Sequence, residues 1–168
     1  MAQGFTAPDE PSRLVALRSY EVLDTPPEPA FDWLAKLAAQ ICGAPYAAIT
    51  FVDGTRQFFK AKIGFTDGEA PDQPGFCYQA IRQSDLFVVT DATKDERFAS
   101  NQLVAGAAQV RFYAGMPLMT AEGHALGTLC VLDRTSRQLT KEQGDALRVL
   151  GSEVLTELEL RQTRKSLE

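Results

Sequence analysis

Apolar residues recur every three to four positions near both ends of the chain, a spacing typical of helices with one buried face. Near the start, Leu14, Leu17 and Tyr20 predict a helix over residues 8–22. A second stripe predicts a helix that ends at Gly43, because glycine tolerates the left-handed backbone of a helix terminus. Its buried positions are predicted to be Phe31, Leu34, Ala38 and Ile41.

The beginning of this second helix is predicted at residues 25–28. Thr25 is the expected N-cap, and Pro26 suits the first helical position. Glu28 stands where the acidic residue of a capping box belongs. The helix is therefore expected to begin directly after Thr25.

A strand pattern follows the second helix. Residues 46–52 are apolar and β-rich, and Asp53 with Gly54 forms a tight-turn signal. Residues 57–63 then alternate, which predicts a β-hairpin. One side of the second strand is predicted to carry Phe58, Lys60 and Lys62, and the other Phe59, Ala61 and Ile63.

The middle of the chain carries more turn signals. Residues 64–75 predict a loop, residues 76–82 a short helix and residues 86–90 a short strand. Residues 91–109 form a long irregular segment, with one helical turn predicted at residues 93–96. The acidic residues predicted to be solvated in the first loop are Asp67, Glu69 and Asp72.

A second hairpin is predicted from residues 110–118 and 125–132 around a turn at residues 121–124. Pro117 has no N–H to donate, so it predicts an edge, a bulge or an unpaired position. Thr140 and Gln143 then predict the capping box of a terminal helix. Its apolar residues are Leu147, Leu150, Val154, Leu155 and Leu158.

Helices at both ends with hairpins between them predict an α+β domain with a central antiparallel sheet. The length of 168 residues fits one domain, and the net charge of −5 disfavours nucleic acid as a partner. The sequence contains no apolar run of the ~18–20 residues that span a membrane. Cys42, Cys77 and Cys130 are odd in number and widely spaced, which predicts reduced thiols and a cytoplasmic protein.

Catalytic and metal-binding patterns are not found in the sequence. The single histidine, His124, falls in a predicted turn, and no nucleophile, base and orienting group can be combined with it. The dispersed thiols do not form a metal-ligand set, and Gly123 with Gly127 lacks the features of a phosphate loop. The residues therefore predict that the domain is not an enzyme, and they identify no cofactor.

Several blocks resemble, in order, the GAF domains that precede bacterial histidine kinase and diguanylate cyclase modules. The blocks are LVALR (14–18), VLDTPPE (22–28), FVD (51–53), QFFK (57–60), FC (76–77), VTDA (89–92), DERF (95–98), RFYAGMPL (111–118) and GHALGTLCVLD (123–133). The resemblance implies a GAF domain at residues 13–160, after an N-terminal extension (1–12) and before the end of a signalling helix (161–168).

This resemblance implies a sensory, non-enzymatic role in bacterial signal transduction, including two-component systems. It implies a sheet of about six strands, with terminal helices on one face and residues 64–112 shaping a pocket on the other. The pocket is a candidate site for a small molecule, although some members of the family bind none. The candidate ligand-binding residues are Phe58, Phe76, Cys77, Asp91, Arg97, Phe98, Phe112, Tyr113 and Met116.

Each of these candidates also has a structural interpretation. The aromatic residues are equally consistent with plain core packing. Asp91 fits a local cap, and Arg97 fits a pair with a nearby carboxylate. Cys77 is either a small buried hydrophobe or a thiol whose pKa the first turn of a helix lowers.

Two alternative functions follow from the resemblance. A bilin-binding photosensor attaches its chromophore through a cysteine that histidine typically follows, whereas Tyr78 follows Cys77 here. A free methionine sulfoxide reductase of the GAF type uses a set of cysteines, and the spacings of the three cysteines here do not reproduce that set.

The terminal helix is predicted to run from Thr140 towards residue 168, longer than a small domain needs. Its apolar residues approximate a coiled-coil seam, which predicts a homodimer that passes a signal to a kinase or cyclase module in cis or in trans. The alternative is a helix that packs on its own sheet and frays at its end. The seam residues are Leu147, Leu150, Val154 and Leu158.

Overall fold

An antiparallel sheet lies between two apolar cores in the computed structural model, which describes residues 10–66 and 75–167. The strands are β1 (Tyr46–Asp53), β2 (Arg56–Ile63), β3 (Phe87–Val89), β4 (Phe112–Met119) and β5 (Ala125–Asp133). The helices are α1 (Glu10–Ser19), α2 (Pro29–Cys42), α3 (Gly75–Ala80), α4 (Gln102–Ala105) and α5 (Lys141–Ser166), with a 3₁₀ turn at Ala92–Lys94. The strand order is β2-β1-β5-β4-β3, and all neighbours are antiparallel.

The predicted α+β class and the order of the elements are confirmed, and the terminal helices lie on one face of the sheet as predicted. The described residues form five strands rather than the six that the resemblance implied. The five strands coincide with the five segments in which the hydrophobic pattern itself indicated β-structure. The acidic residues Asp67, Glu69 and Asp72 and the predicted helix start at Pro8 lie outside the described residues.

Two cores follow from the alternation of side chains along the strands. In β1, Ala47, Ile49 and Phe51 face α1, α2 and α5, where the core also contains Phe31 and Leu147. The alternate residues Ala48 and Val52 face α3, α4 and the connecting segments, in a core that contains Phe76, Phe98 and Tyr113. The first core holds the terminal helices, and the second contains the candidate site.

The beginning of α2 differs from the prediction. The helix begins at Pro29, and Glu28 is the N-cap, with an extended backbone and no side-chain capping bond. Pro29 is the reason, because a residue that precedes proline is excluded from the helical region. The Thr25 hydroxyl donates to the Val22 carbonyl instead.

The buried face of α2 also differs from the prediction. Ile41 is 41% exposed, whereas Phe31 and Ala38 are buried as expected. Small residues carry most of this contact, since they let the helix approach the sheet closely. The buried residues are Phe31, Ala35, Ala38, Ala39 and Cys42.

The first helix is shorter than predicted, because Glu21 has a left-handed backbone with φ of 54° and the helix ends at Ser19. Gly43 ends α2 with φ of 59°, as predicted. Asp91 caps the 3₁₀ turn, as its structural interpretation predicted, and its carboxylate accepts from the Thr93 backbone N–H and hydroxyl. Pro117 lies at a bulge of β4, which is one of the three predicted placements.

A bulge changes the predicted alternation of β2. Ile49 pairs with Ala61 and Thr50 with Phe59, so Lys60 is an extra residue in the ladder. Phe58, Ala61 and Ile63 consequently pack against the core of the terminal helices. The simple alternation predicted for this strand is therefore wrong.

The capping box that begins α5 is confirmed. Thr140 Oγ1 accepts from the Gln143 N–H, and Gln143 Oε1 accepts from the Thr140 N–H, each at 3.1 Å. The helix extends over 26 residues. Among the described helices, none is long and apolar enough to cross a membrane.

The predicted dimer seam on α5 is corrected by its burial. Leu147, Val154 and Leu158 are fully buried against this chain's own sheet, and Leu150 is 6% exposed. Side chains already packed inside the domain are not available to a second copy, so the prediction that they form the dimer contact is wrong.

Candidate functional site

A small cavity lies between the sheet and the segment that carries α3 and α4. Its free volume is about 20 Å³, which exceeds the roughly 10–15 Å³ that one water needs. The wall is mostly apolar, with hydroxyl, thiol and amide groups among the aromatic rings. It comprises Ala48, Thr50, Gln57, Phe59, Phe65, Gly75, Phe76, Cys77, Asn101, Leu103, Tyr113, Cys130 and Leu132.

The predicted ligand-binding residues separate into three groups. Phe76, Cys77 and Tyr113 line the cavity. Phe98 lies behind them and stacks on Phe76 at a ring-centroid distance of 4.4 Å. The second face of Phe76 stacks on Tyr113 at 4.8 Å, so the three rings form one continuous stack.

Phe58, Phe112 and Met116 do not line this cavity. All three pack in the core on the opposite face of the sheet. In β4, Phe112 and Met116 occupy alternate positions on the helix side, while Tyr113 faces the cavity. The prediction that these three residues line the pocket is therefore wrong.

Asp91 and Arg97 lie outside the cavity wall. Asp91 accepts the Thr93 N–H at 3.0 Å and caps the 3₁₀ turn. Arg97 pairs with Asp95 at 2.8 Å and lies 5.1 Å from the ring centroid of Phe98. Asp91 is therefore a local cap and Arg97 the partner of a nearby carboxylate, as their structural interpretation predicted.

Cys77 lies at the centre of a buried polar cluster in the cavity wall. Its sulfur is 3.2 Å from Thr50 Oγ1 and 3.3 Å from Thr128 Oγ1. The Tyr113 hydroxyl donates to the same sulfur at 3.5 Å, and Cys130 lines the same cavity wall. The two threonine hydroxyls are 3.1 Å apart.

These contacts change the ionisation of the cluster. The hydrogen bond from Cys130, followed by those from Thr128, Thr50 and Tyr113, lowers the Cys77 pKa against the opposing effect of burial. The partner thiol responds in the opposite direction, because its bond to Cys77 and its burial raise the Cys130 pKa. The sequence left two interpretations of Cys77 open, a small buried hydrophobe or a thiol whose pKa a helix terminus lowers; this set of donors, rather than the helix terminus, lowers its pKa.

Sequence reasoning missed Thr50, Thr128 and Cys130 as members of the site. Thr50 and Thr128 pair across β1 and β5, and Cys130 follows on the same face of β5. Polar or small residues at these cavity-facing positions were a weak signal. Only the pairing register shows that they converge on Cys77.

Lys60 connects the strand beside the cavity with the terminal helix. Its Nζ donates to Glu28 Oε2 at 2.6 Å, Thr25 Oγ1 at 2.7 Å and the Pro26 carbonyl at 2.6 Å. Arg161, near the end of α5, donates from Nε to the same Glu28 oxygen at 2.8 Å.

One carboxylate serves two cations in this cluster. Burial raises the pKa of Glu28, but the hydrogen bonds from Lys60 and Arg161 outweigh it and leave that pKa lowered. Glu28 was predicted to be the acidic residue of a capping box. In the structure it instead binds Lys60 of β2 and Arg161 of α5.

Groups of His, Cys, Asp or Glu that would suit a metal ion are not found in residues 10–66 and 75–167. His124 lies on the β4–β5 turn, where its backbone N–H donates to Thr120 Oγ1 at 3.1 Å. Cys42 is buried in the core of the terminal helices, on the other face of the sheet from Cys77 and Cys130.

Comparisons with known proteins agree with this architecture. The GAF domain family model matches residues 26–158. A cyclic di-GMP phosphodiesterase of Pseudomonas aeruginosa is 39% identical over 139 residues, which cover 83% of this chain and 24% of that protein. The chain thus spans about a quarter of the length of this relative.

Solved structures show the same fold at low sequence identity. The GAF domain of a phosphoenolpyruvate-protein phosphotransferase from Coxiella burnetii gives a TM-score of 0.69 at 14% identity, covering 94% of this chain and 97% of that one. The corresponding Acinetobacter domain gives 0.67 at 16% identity, with the same coverages of 94% and 97%.

Proposed function

This chain belongs to the GAF family of regulatory domains, and we propose that it senses a small molecule in the cavity beside Cys77 and transmits the bound state through α5. The cavity carries the proposal, because it combines an apolar wall with hydroxyl and thiol groups that orient a ligand. Its free volume of about 20 Å³ holds about one water, so a metabolite would displace wall residues such as Phe65 or Leu103.

A connected set of contacts supports transmission to α5. Phe59 lines the cavity, whereas the next residue, Lys60, is the bulged residue that binds Glu28 on the opposite face. Arg161 of α5 binds the same carboxylate. A ligand that displaces Phe59 would shift the bulge, and the shift would reach α5 through Lys60 and Glu28.

The proposed role is regulatory rather than catalytic. The polar side chains at the cavity carry thiols, hydroxyls and amides, and the chain's single histidine lies on the β4–β5 turn. The output is proposed to be a kinase or cyclase module in cis or in trans, within a bacterial signalling system. The phosphodiesterase relative joins a region like this one to a much longer chain, which supports a regulated catalytic partner.

A homodimer remains part of the proposal, but through a different surface. Trp33, Leu37 and Ile41 lie one above another on the outer face of α2 and are 65%, 42% and 41% exposed. A second copy supplies an identical stripe, so a two-fold axis places apolar surface against apolar surface. We therefore assign the dimer contact to α2.

Melting temperatures across a panel of nucleotides, amino acids and other metabolites test the ligand proposal. A ligand at a hundred times its Kd adds about 2.7 kcal/mol, which raises the melting temperature by several degrees. Ala48→Leu fills the cavity and should abolish the shift, whereas Val88→Leu, outside the cavity wall, should retain it. A shift that survives in Ala48→Leu would place the ligand elsewhere, and a panel without any shift would oppose a small-molecule role.

A further inference from the structure

Two thiols that are distant in the sequence meet in the wall of the cavity. We propose that Cys77 and Cys130 form a reversible dithiol–disulfide pair that a small hydroperoxide oxidises. This modification site deepens the proposed sensory function, on which its signalling consequence rests, because it supplies the cavity with a chemical input in addition to a bound ligand.

The geometry provides one fixed and one movable sulfur. Cys130 is in the middle of the central strand β5, paired with Ala48 on one side and Gly115 on the other. Cys77 is on α3, a six-residue helix that packs over the sheet. Both thiols line the cavity, and Thr128, two residues before Cys130 on the same face of β5, lies 3.3 Å from the Cys77 sulfur, so a shift of α3 towards β5 brings the two sulfurs to the ~2.05 Å of a disulfide.

The surroundings of Cys77 favour its role as the attacking sulfur. Hydroxyl groups of Thr50, Thr128 and Tyr113 all lie within 3.5 Å of it and can donate to a thiolate. Such donors stabilise the charged form of a buried thiol, and the thiolate is the reactive form. Cys130, fixed in the middle of β5, is suited to act second, as the resolving thiol.

The cavity sets the class of oxidant. Its free volume of about 20 Å³ admits a molecule close to the size of water. Hydrogen peroxide is of this size, whereas hydroperoxides of lipids are not. Both sulfurs are nearly buried, with Cys77 5% and Cys130 2% exposed, so a larger oxidant reaches them only when the cavity wall opens.

The reaction has two balanced steps. Cys77, which has lost its proton, attacks one peroxide oxygen, the O–O bond breaks, and the hydroxide that leaves takes up a proton to form water. Cys77 is then a sulfenic acid. The Cys130 sulfur attacks the Cys77 sulfur, the S–O bond breaks, and the leaving hydroxide takes the Cys130 proton as a second water. Two thiols lose two electrons in total, and one peroxide becomes two waters.

The disulfide would change the site that the ligand is proposed to occupy. A sulfur bonded to Cys130 no longer accepts the Thr50 hydroxyl as a thiolate does, and Thr50 pairs with Phe59 at the β2 bulge. The oxidised cavity is also smaller, because α3 is held against β5. Oxidation and ligand binding are therefore expected to oppose each other.

Peptide mapping by mass spectrometry without reductant tests the pair in the wild-type protein. After treatment with hydrogen peroxide, we expect a Cys77–Cys130 cross-linked peptide that dithiothreitol reverses. Cys42 should remain a free thiol, which makes it an internal control in the same sample. Two results would overturn the proposal. One is that Cys42 is oxidised while Cys77 and Cys130 remain free thiols. The other is that Cys77 becomes a sulfinic acid without a cross-link.

Two variants separate the roles of the sulfurs. Cys130→Ser should leave Cys77 as a sulfenic acid that dimedone labels, while Cys77→Ser should lower the oxidation of Cys130 at least tenfold. Cys42→Ser should cross-link like the wild type. The metabolite panel, run on fully reduced protein, separates this proposal from the proposed ligand binding. Ligand binding without a disulfide would contradict only the disulfide proposal. A disulfide without ligand binding would contradict only the ligand proposal.

Discussion

The ammonium group of Lys60 lies 2.6 Å from the Glu28 carboxylate, although the Lys60 side chain is completely buried. Such a buried charge is stable only when it is paired and its donors are satisfied. Glu28, Thr25 and the Pro26 carbonyl provide these three partners. This pair therefore joins the strand beside the cavity to the segment that Arg161 of α5 also contacts.

Glu28→Gln should destabilise the domain because it leaves a buried ammonium without its counter-ion. Removal of one partner of a buried pair costs about 3–5 kcal/mol, and the Glu28 side chain is 31% exposed, so about 2 kcal/mol is expected. Urea unfolding monitored by circular dichroism measures this loss. Asp145→Asn, which breaks the exposed pairs with Lys141 and Arg148, is the matched control and should leave the midpoint of urea unfolding nearly unchanged.

The same carboxylate predicts a part of the acid sensitivity. The folded pKa of Glu28 lies below its ordinary value of 4.5, since hydrogen bonds from Lys60 and Arg161 outweigh burial. Its contribution is thus complete above pH 4.5 and is lost as the pH falls through the folded pKa. The free energy of unfolding should fall less between pH 5 and pH 3 in Glu28→Gln than in the wild type. Equal slopes would contradict this, and the exposed Glu153→Gln should behave like the wild type.

Cys77 should react with iodoacetamide almost equally fast at pH 7 and pH 8. A thiol with an ordinary pKa near 9.0 reacts about tenfold faster at pH 8 than at pH 7, because its thiolate fraction is about tenfold higher at pH 8. The lowered pKa of Cys77 predicts a change of less than about threefold. Peptide-resolved alkylation rates measure it, and Cys42, whose pKa burial raises, provides the tenfold reference in the same sample.

Thr50→Val tests the cause of that reactivity. It removes a hydroxyl that donates to the Cys77 sulfur at 3.2 Å, so the ratio of the rates at the two pH values should move towards tenfold. Thr90→Val, at an exposed position after β3, should leave the ratio unchanged. The same ratio in both variants would show that another group sets the Cys77 pKa.

The oligomeric state tests the dimer contact proposed on α2. Trp33→Glu with Leu37→Glu places charges on the exposed stripe of α2 and should produce a monomer in analytical ultracentrifugation at tens of micromolar. Val149→Glu, at an exposed position of α5, should leave the dimer intact. A wild-type protein that is already monomeric at this concentration would exclude the α2 contact.

Much of the fold was predictable because its signals are local. The Thr140–Gln143 capping box, the Gly43 helix terminus and the turn at Asp53 and Gly54 each depend on a few adjacent residues. The first residue of α2 was predicted wrongly, although the signal for it, Pro29, is also local. Pro29 keeps Glu28 out of the helix. Only the resemblance indicated on which face of the sheet a pocket would lie.

The sequence by itself determined the order of helices and strands, because hydrophobic spacing and turn residues act over short distances. Only the tertiary structure decided that Cys77 and Cys130 line the same cavity and that Phe112 faces away from it. Both depend on strand register, which a single bulge at Lys60 or Pro117 shifts by one residue. A shift of one residue exchanges the two faces of a strand, so the membership of the site follows from pairing between distant segments.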